Sequence, residues 1–260
     1  MTRPAPICPP ATGLLRGKTL LITAAAGSGI GGAAARRAAD EGATLFISDT
    51  HERRLGETAD AIAAAGHARP HTQVCDVTDE AQVQALVASA IDAMGHVDIL
   101  FNNAGLGGAA SVTEMTDEQW SRVLDVSLTS VFRMTRAILP HMYARGAGAI
   151  VNNASVLGWR AQKLQAHYAA AKAGVMAFTR CSAMEAAEHG VRINAVSPSL
   201  AMHASLNKVT PPGLLEELTA REAFGRFAEP WEVANVMIFL GSDLASYMVG
   251  EVVAVSSQQA

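Results

Sequence analysis

Residues 18–31 read KTLLITAAAGSGIG, and this stretch decides the class of fold. Residues 18–23 are a short apolar run, the pattern of a strand buried on both faces in a parallel sheet. A loop of small residues, 24–31, follows at once, and a helical run through Arg36, Arg37 and Glu41 follows the loop. Strand, glycine loop and helix in that order make a phosphate-binding context. Glycine lets the backbone approach a pyrophosphate, and the start of the helix offers unpaired N–H groups at the positive end of its dipole. A plain strand-to-helix turn has no need of glycine at 27, 29 and 31. Gly27, Ser28, Gly29, Ile30 and Gly31 are therefore the candidate phosphate contacts.

The alternation continues along the chain. Residues 43–48 (ATLFIS) form a second strand pattern ending at Asp49, where dinucleotide folds place an acidic group on the adenosine ribose. A carboxylate there accepts from both hydroxyls and repels a 2′-phosphate, so it favours NAD(H). NADP(H) stays possible because His51, Arg53 and Arg54 follow, although these read more simply as the solvated first turn of the next helix. A third strand ends at 72–74, and Asp76 stands either to cap a helix over about 79–94 or to touch adenine. Residues 97–101 (VDILF) form a fourth strand that runs into Asn102, Asn103, Ala104 and Gly105, residues suited to close backbone approach. Residues 116–145 read as one long helical region, with Thr116 and Gln119 as its capping box. Strand patterns recur at 148–154, 191–196 and 251–255, and a helical pattern at 229–240. Residues 202–224 are polar, broken by Pro211 and Pro212, and lack a strand pattern. They suggest a substrate lid within about 200–226.

No linker-like boundary interrupts this order. The expected architecture is α/β, a Rossmann-type doubly wound parallel sheet of about seven strands with helices on both faces. It occupies residues 15–260 as one domain, after an N-terminal arm at 1–14.

The chemistry gathers in the stretch after the strand at 148–154. Ser155 sits where that strand ends, and Tyr168 and Lys172 lie in an Ala-rich helical run, four residues apart. On a helix they share one face, a turn apart. A free tyrosine has a pKa of about 10, and an ammonium one turn away favours the phenolate. Tyr168 is thereby expected to move toward the range of a working acid or base, with Ser155 able to hydrogen-bond the same substrate oxygen.

Composition removes several classes of function. Half of the 260 residues are hydrophobic and 17% are charged, which supports a large core and argues against disorder. A formal charge of −4 does not suit a nucleic-acid surface. No apolar run approaches the roughly 18 residues of a membrane helix, and prolines interrupt MTRPAPICPPATG where a signal peptide needs an apolar core. Cys8, Cys75 and Cys181 are odd in number and lack metal-ligand spacing. A reduced, cytoplasmic protein without a metal, nucleic-acid partner or membrane partner is expected.

Taken together, these pieces resemble the short-chain dehydrogenase/reductase family over residues 15–255. The resemblance rests on the glycine loop, Asp76-Val77, Asn102-Asn103-Ala104-Gly105, Ser155 with Tyr168 13 residues beyond it, the Tyr168/Lys172 pair, and NAVSP at 194–198. It implies Tyr168 as acid/base, Ser155 as the group that holds the reacting oxygen, and Lys172 as the residue that lowers the Tyr168 pKa and binds the nicotinamide ribose. It further implies Gly27, Gly29 and Gly31 at the pyrophosphate, Asp49 at the ribose, Asp76 and Val77 at adenine, Asn103 and Gly105 beside the adenosine half, and Pro198 at the nicotinamide. Ser127 stands where the family has an asparagine that anchors a water leading to the lysine.

Further departures are Ala24 in place of the first glycine, a loop one residue longer, Ser199 after Pro198, His203 for a threonine, and Ser256-Ser257-Gln258 at the C-terminus. Because alanine tolerates positive φ poorly, the turn at Ala24 is expected to differ in shape. The implied activity is hydride transfer between NAD(P) and a secondary alcohol or ketone. The substrate resembles that of 3-oxoacyl-ACP reductases or of a steroid-catabolic branch acting on bulky acyl-CoA thioesters. The alternatives are a dehydrogenase of a free sterol or polyol, and an NAD-binding module without turnover. A homotetramer or homodimer would form through the helices at 116–145 and 165–188.

Overall fold

The structure, a computed structural model, describes residues 4–201 and 213–257. Its strands are β1 (Thr19–Ile22), β2 (Thr44–Asp49), β3 (His71–Val74), β4 (Ile99–Asn102), β5 (Gly148–Asn153), β6 (Val191–Pro198) and β7 (Val252–Val255). They form a seven-stranded sheet in the order β3-β2-β1-β4-β5-β6-β7, with every pairing parallel. The expected doubly wound architecture is present.

Side-chain alternation along the strands builds two separate cores. Leu20, Ile22, Ile99, Phe101 and Val151 face one layer, where they meet Ala34 and Ala38 of α1 (Ile30–Asp40). Leu55 and Ile62 of α2 (Glu52–Ala64) join the same layer. Leu21, Leu100 and Ile150 face the other layer, against Val83 and Leu86 of α3 (Glu80–Met94). Alanines on α1 allow it to lie close to the strands, which brings its N-terminus up to the end of β1. Further along come α4 (Asp117–Leu124), α5 (Ser130–Arg145), α6 (Ala166–Ala187), α7 (Leu214–Ala220) and α8 (Pro230–Gly241).

Two expectations change in detail. The helical region at 116–145 begins with the predicted Thr116/Gln119 capping box, but it is not uniform. A π-helical turn at Asp125–Thr129 separates α4 from α5 and turns Ser127 inward. The N-terminal arm is also fastened. Glu41 Oε2 accepts from the backbone N–H groups of Thr12, Gly13 and Leu14 at 2.7–3.0 Å, and Arg37 donates to the Pro9 carbonyl. Burial of Glu41 opposes its charge, yet those three N–H groups and Arg37 hold its pKa below the usual value.

Met202 to Pro212, most of the expected lid including His203, lies outside the described residues, as does Gln258. Beyond that stretch come α7 and a turn at which Ser257 Oγ donates to Glu222.

Candidate active site

The strand order reverses between β1 and β4, and ligand crevices form at the carboxyl ends of strands at such a point. The Thr23 N–H donates to the Phe101 carbonyl at 3.1 Å and carries the pairing of β1 and β4 past the last strand residue. Ala24 then turns with φ of 52°. This corrects the expectation of a different turn, because alanine adopts the left-handed conformation itself, at a cost of about 1–2 kcal/mol. The Ala24 carbonyl is held by Asn103 Nδ2 at 3.0 Å. A Cβ on Gly31 would run into that carbonyl and the Asn103 amide, so glycine is required where α1 meets the loop.

Gly29 caps α1 without a side-chain bond. The first turn of α1 therefore has N–H groups to offer an anion. Ile30 begins that helix, and Ser28 is exposed beside it. Gly27 contributes shape (φ 83°) rather than a donor, since its N–H is taken by Thr58 Oγ1 at 2.9 Å.

Asp49, the last residue of β2, turns its carboxylate to this loop, accepting from the Ala26 N–H at 3.1 Å and the His51 N–H at 3.0 Å. Burial raises its pKa, against the pull of the Ala26 N–H and the nearby Arg54. Asp76 does not cap α3. Its carboxylate accepts from the N–H and hydroxyl of its near neighbour Thr78, and Asp79 caps the helix through the N–H groups of Ala81 and Gln82. Val77 is buried in the core.

Ser155, Tyr168 and Lys172 come together at the end of β5 and the start of α6. Ser155 Oγ accepts from the Leu157 N–H at 3.2 Å, which leaves its own proton for another oxygen. Lys172 is 2% exposed, and its Nζ donates to the Asn153 carbonyl at 2.6 Å. The amine lies 5.6 Å from the centre of the Tyr168 ring. Burial pushes the Lys172 pKa down to about 8. It also pushes the Tyr168 pKa up, with Ser155 pulling the other way. The expected lowering of Tyr168 by Lys172 is thus corrected. In the protein alone, desolvation outweighs the hydrogen bond with Ser155, so Tyr168 is held as a proton donor.

Of the residues behind this group, Asn153 had no signal in the sequence. Asn153 Nδ2 donates to Asn103 Oδ1 at 2.9 Å, so one bonded chain runs from Lys172 through Asn153 and Asn103 to Ala24. The Asn103 side chain is consequently a strut within the protein. Gly105 lies against Lys172, where an added Cβ would approach Nζ to 3.4 Å. Gly105 thus stands at the Lys172 end of the crevice. Ser127 is also committed: its hydroxyl donates to the Leu106 carbonyl at 3.0 Å and accepts from the Leu106 N–H at 2.9 Å. Its one proton is used within the protein, and the pair of bonds fixes the loop after β4. Pro198 ends β6 and is buried at the same edge of the sheet.

Residues 24–257 match the family model described as Enoyl-(Acyl carrier protein) reductase. A short chain dehydrogenase from Mycobacterium smegmatis superposes with a TM-score of 0.88 at 57% identity, covering 99% of both chains. This chain belongs to the short-chain dehydrogenase/reductase family. As a family member it is a nicotinamide-dependent oxidoreductase. It is 64% identical, over 95% of its own length and 94% of the relative's, to the "(5R,7aS)-5-hydroxy-7a-methyl-1-oxo-2,3,5,6,7,7a-hexahydro-1H-indene-carboxyl-CoA reductase" of Mycobacterium tuberculosis. It is 38% identical to the 3-oxoacyl-(acyl-carrier-protein) reductase of Thermotoga maritima, over 93% of this chain and 97% of that one.

The site fits the family's cofactor. The uncapped start of α1 suits a pyrophosphate, Asp49 a ribose, and the half-buried Tyr168 with the buried Lys172 the opposite end of the crevice. Among the described residues no cluster suits a metal ion, and no helix is long and apolar enough to cross a membrane.

Proposed function

We propose that this protein reduces the ketone of a bulky alicyclic oxoacyl-CoA thioester. The observation that carries the reading is the joint one of 64% identity to the Mycobacterium tuberculosis reductase and a tyrosine held in its acid form beside Ser155. The nicotinamide, when bound, supplies the hydride. Tyr168 gives its proton to the substrate oxygen, and Ser155, whose acceptor side is occupied by Leu157, donates to that same oxygen. Lys172 would hold the nicotinamide ribose, with its amine beside the Tyr168 ring. Asp49 binds the adenosine ribose and gives NAD(H) preference over NADP(H), while Arg54 keeps some NADP(H) binding.

Assembly is part of the same reading. Trp120 and Phe132 on α4 and α5 and Met184 on α6 are large exposed apolar side chains, and they support a homodimer or homotetramer through these helices. The proposed setting is the cytoplasm, with one catalytic domain over residues 15–260.

The test is cofactor oxidation by the purified protein with a bicyclic oxoacyl-CoA, acetoacetyl-CoA and simple cyclic ketones. Turnover of the bicyclic thioester that vanishes in Tyr168→Phe supports the reading. Turnover of free ketones alone favours a free-alcohol dehydrogenase, and cofactor binding with no turnover favours a binding module.

A further inference from the structure

Leu164 precedes α6 by two residues and has φ of 66°, in the left-handed region that branched L-residues avoid. Burial does not explain the choice, because the side chain is 46% exposed. The backbone is held there from across the crevice. The Ala110 N–H donates to the Leu164 carbonyl at 3.1 Å, and Gln165 Nε2 donates to the Gly108 carbonyl at 2.6 Å. These bonds clasp the loop after β4 to the segment that leads into Tyr168. An added Cβ on Gly107 of the same loop would meet the Tyr168 ring at 4.0 Å.

Two more large apolar side chains stand exposed on the same two loops, Val112 (77%) after β4 and Trp159 (52%) after β5. Strained backbone and clustered exposed apolar groups both concentrate at functional surfaces. Here Trp159 and Leu164 lie on the segment that joins Ser155 to Tyr168, and Val112 lies on the loop that the Ala110–Leu164 bond clasps to it.

We infer that Leu164 is a specificity-determining residue, held in a strained conformation so that its side chain meets the apolar ring body of the substrate. The inference rests on the acyl-thioester reading above and names the residue that selects the ring.

The experiment compares Leu164→Gly, Leu164→Asn, Leu164→Ala and Leu164→Met with the unaltered enzyme, on a bicyclic oxoacyl-CoA and on acetoacetyl-CoA. Glycine and asparagine accept positive φ and relax the backbone while removing the apolar side chain. Alanine removes the side chain and keeps the strain. In all three, kcat/KM for the bicyclic thioester is expected to fall about 10- to 100-fold, mainly through KM, with acetoacetyl-CoA changed by no more than about twofold. Thermal midpoints of the glycine and asparagine variants should equal or exceed that of the alanine variant. Leu164→Met should keep the bicyclic activity.

Equal losses on both substrates would show that Leu164 only positions Tyr168, and no loss on the bicyclic thioester would show that it never touches the ring. Either result overturns the inference while leaving the acyl-thioester reading intact. An unaltered enzyme that turns over neither thioester overturns both.

Discussion

Lys172 Nζ donates to the main-chain oxygen of Asn153 at 2.6 Å, and the side chain of Asn153 donates in turn to Asn103. The buried lysine is thereby bonded, through two asparagines at the ends of neighbouring strands, to the carbonyl of Ala24 in the glycine loop. The two ends of the cofactor crevice belong to one hydrogen-bonded unit.

The buried amine gives a stability signature. Lys172 has its pKa depressed to about 8 in the fold, so the native state releases this proton before the unfolded chain does. The group's contribution is least favourable below about pH 8 and improves as pH rises toward the unfolded value of about 10.4. Urea unfolding of wild type against Lys172→Met is expected to shift in favour of wild type by roughly 3 kcal/mol between pH 7.5 and 10.5. A difference that stays flat with pH would mean that the amine is hydrated.

Tyr168 makes the two reaction directions diverge with pH. Burial raises its pKa, so the proton needed for ketone reduction is in place throughout the neutral range. Reduction should hold level there and decline at alkaline pH, while alcohol oxidation, which needs the phenolate, should climb. Initial rates in both directions from pH 6 to 10 check this, and Tyr168→Phe should remove about 10²- to 10⁴-fold of the rate. Parallel profiles in the two directions would assign the titration to another group.

The glycine loop separates two substitutions that look alike. Ala24→Gly relieves a left-handed alanine, offset by the freer unfolded chain, so stability should change by less than about 1 kcal/mol and cofactor affinity should persist. Gly31→Ala forces a methyl into the Ala24 carbonyl and should cost about 1–3 kcal/mol together with cofactor binding. Chemical denaturation and fluorescence titration with NADH distinguish them. A Gly31→Ala protein that binds NADH normally would sink this account of the turn.

On the proposed reading, Asp49 sets the cofactor choice by charge. Replacing it with serine removes the repulsion of a 2′-phosphate and leaves Arg54 nearby without its carboxylate partner. The ratio of kcat/KM for NADPH to that for NADH should rise roughly tenfold or more in Asp49→Ser, equivalent to about 1.4 kcal/mol. An unchanged ratio would place the ribose elsewhere.

What the sequence by itself determined is the class of fold, the order of its elements and the location of Ser155, Tyr168 and Lys172 on one loop and one helix face. Those features follow from hydrophobic period, glycine placement and residue spacing, all of which act over a few residues. What only the tertiary structure decided depends on groups far apart in the chain. The Asn103–Asn153 link exists because β4 and β5 pair with Asn102 opposite Asn152, a register that neither strand specifies alone. Ala24 keeps its left-handed turn because Asn103 holds its carbonyl, and Ser127 pairs with the Leu106 backbone because a π-turn aims it inward. The acid state of Tyr168 is the clearest case. Spacing alone puts an ammonium one turn away and implies a lowered pKa, but the assembled core removes water from both groups, and desolvation reverses the sign.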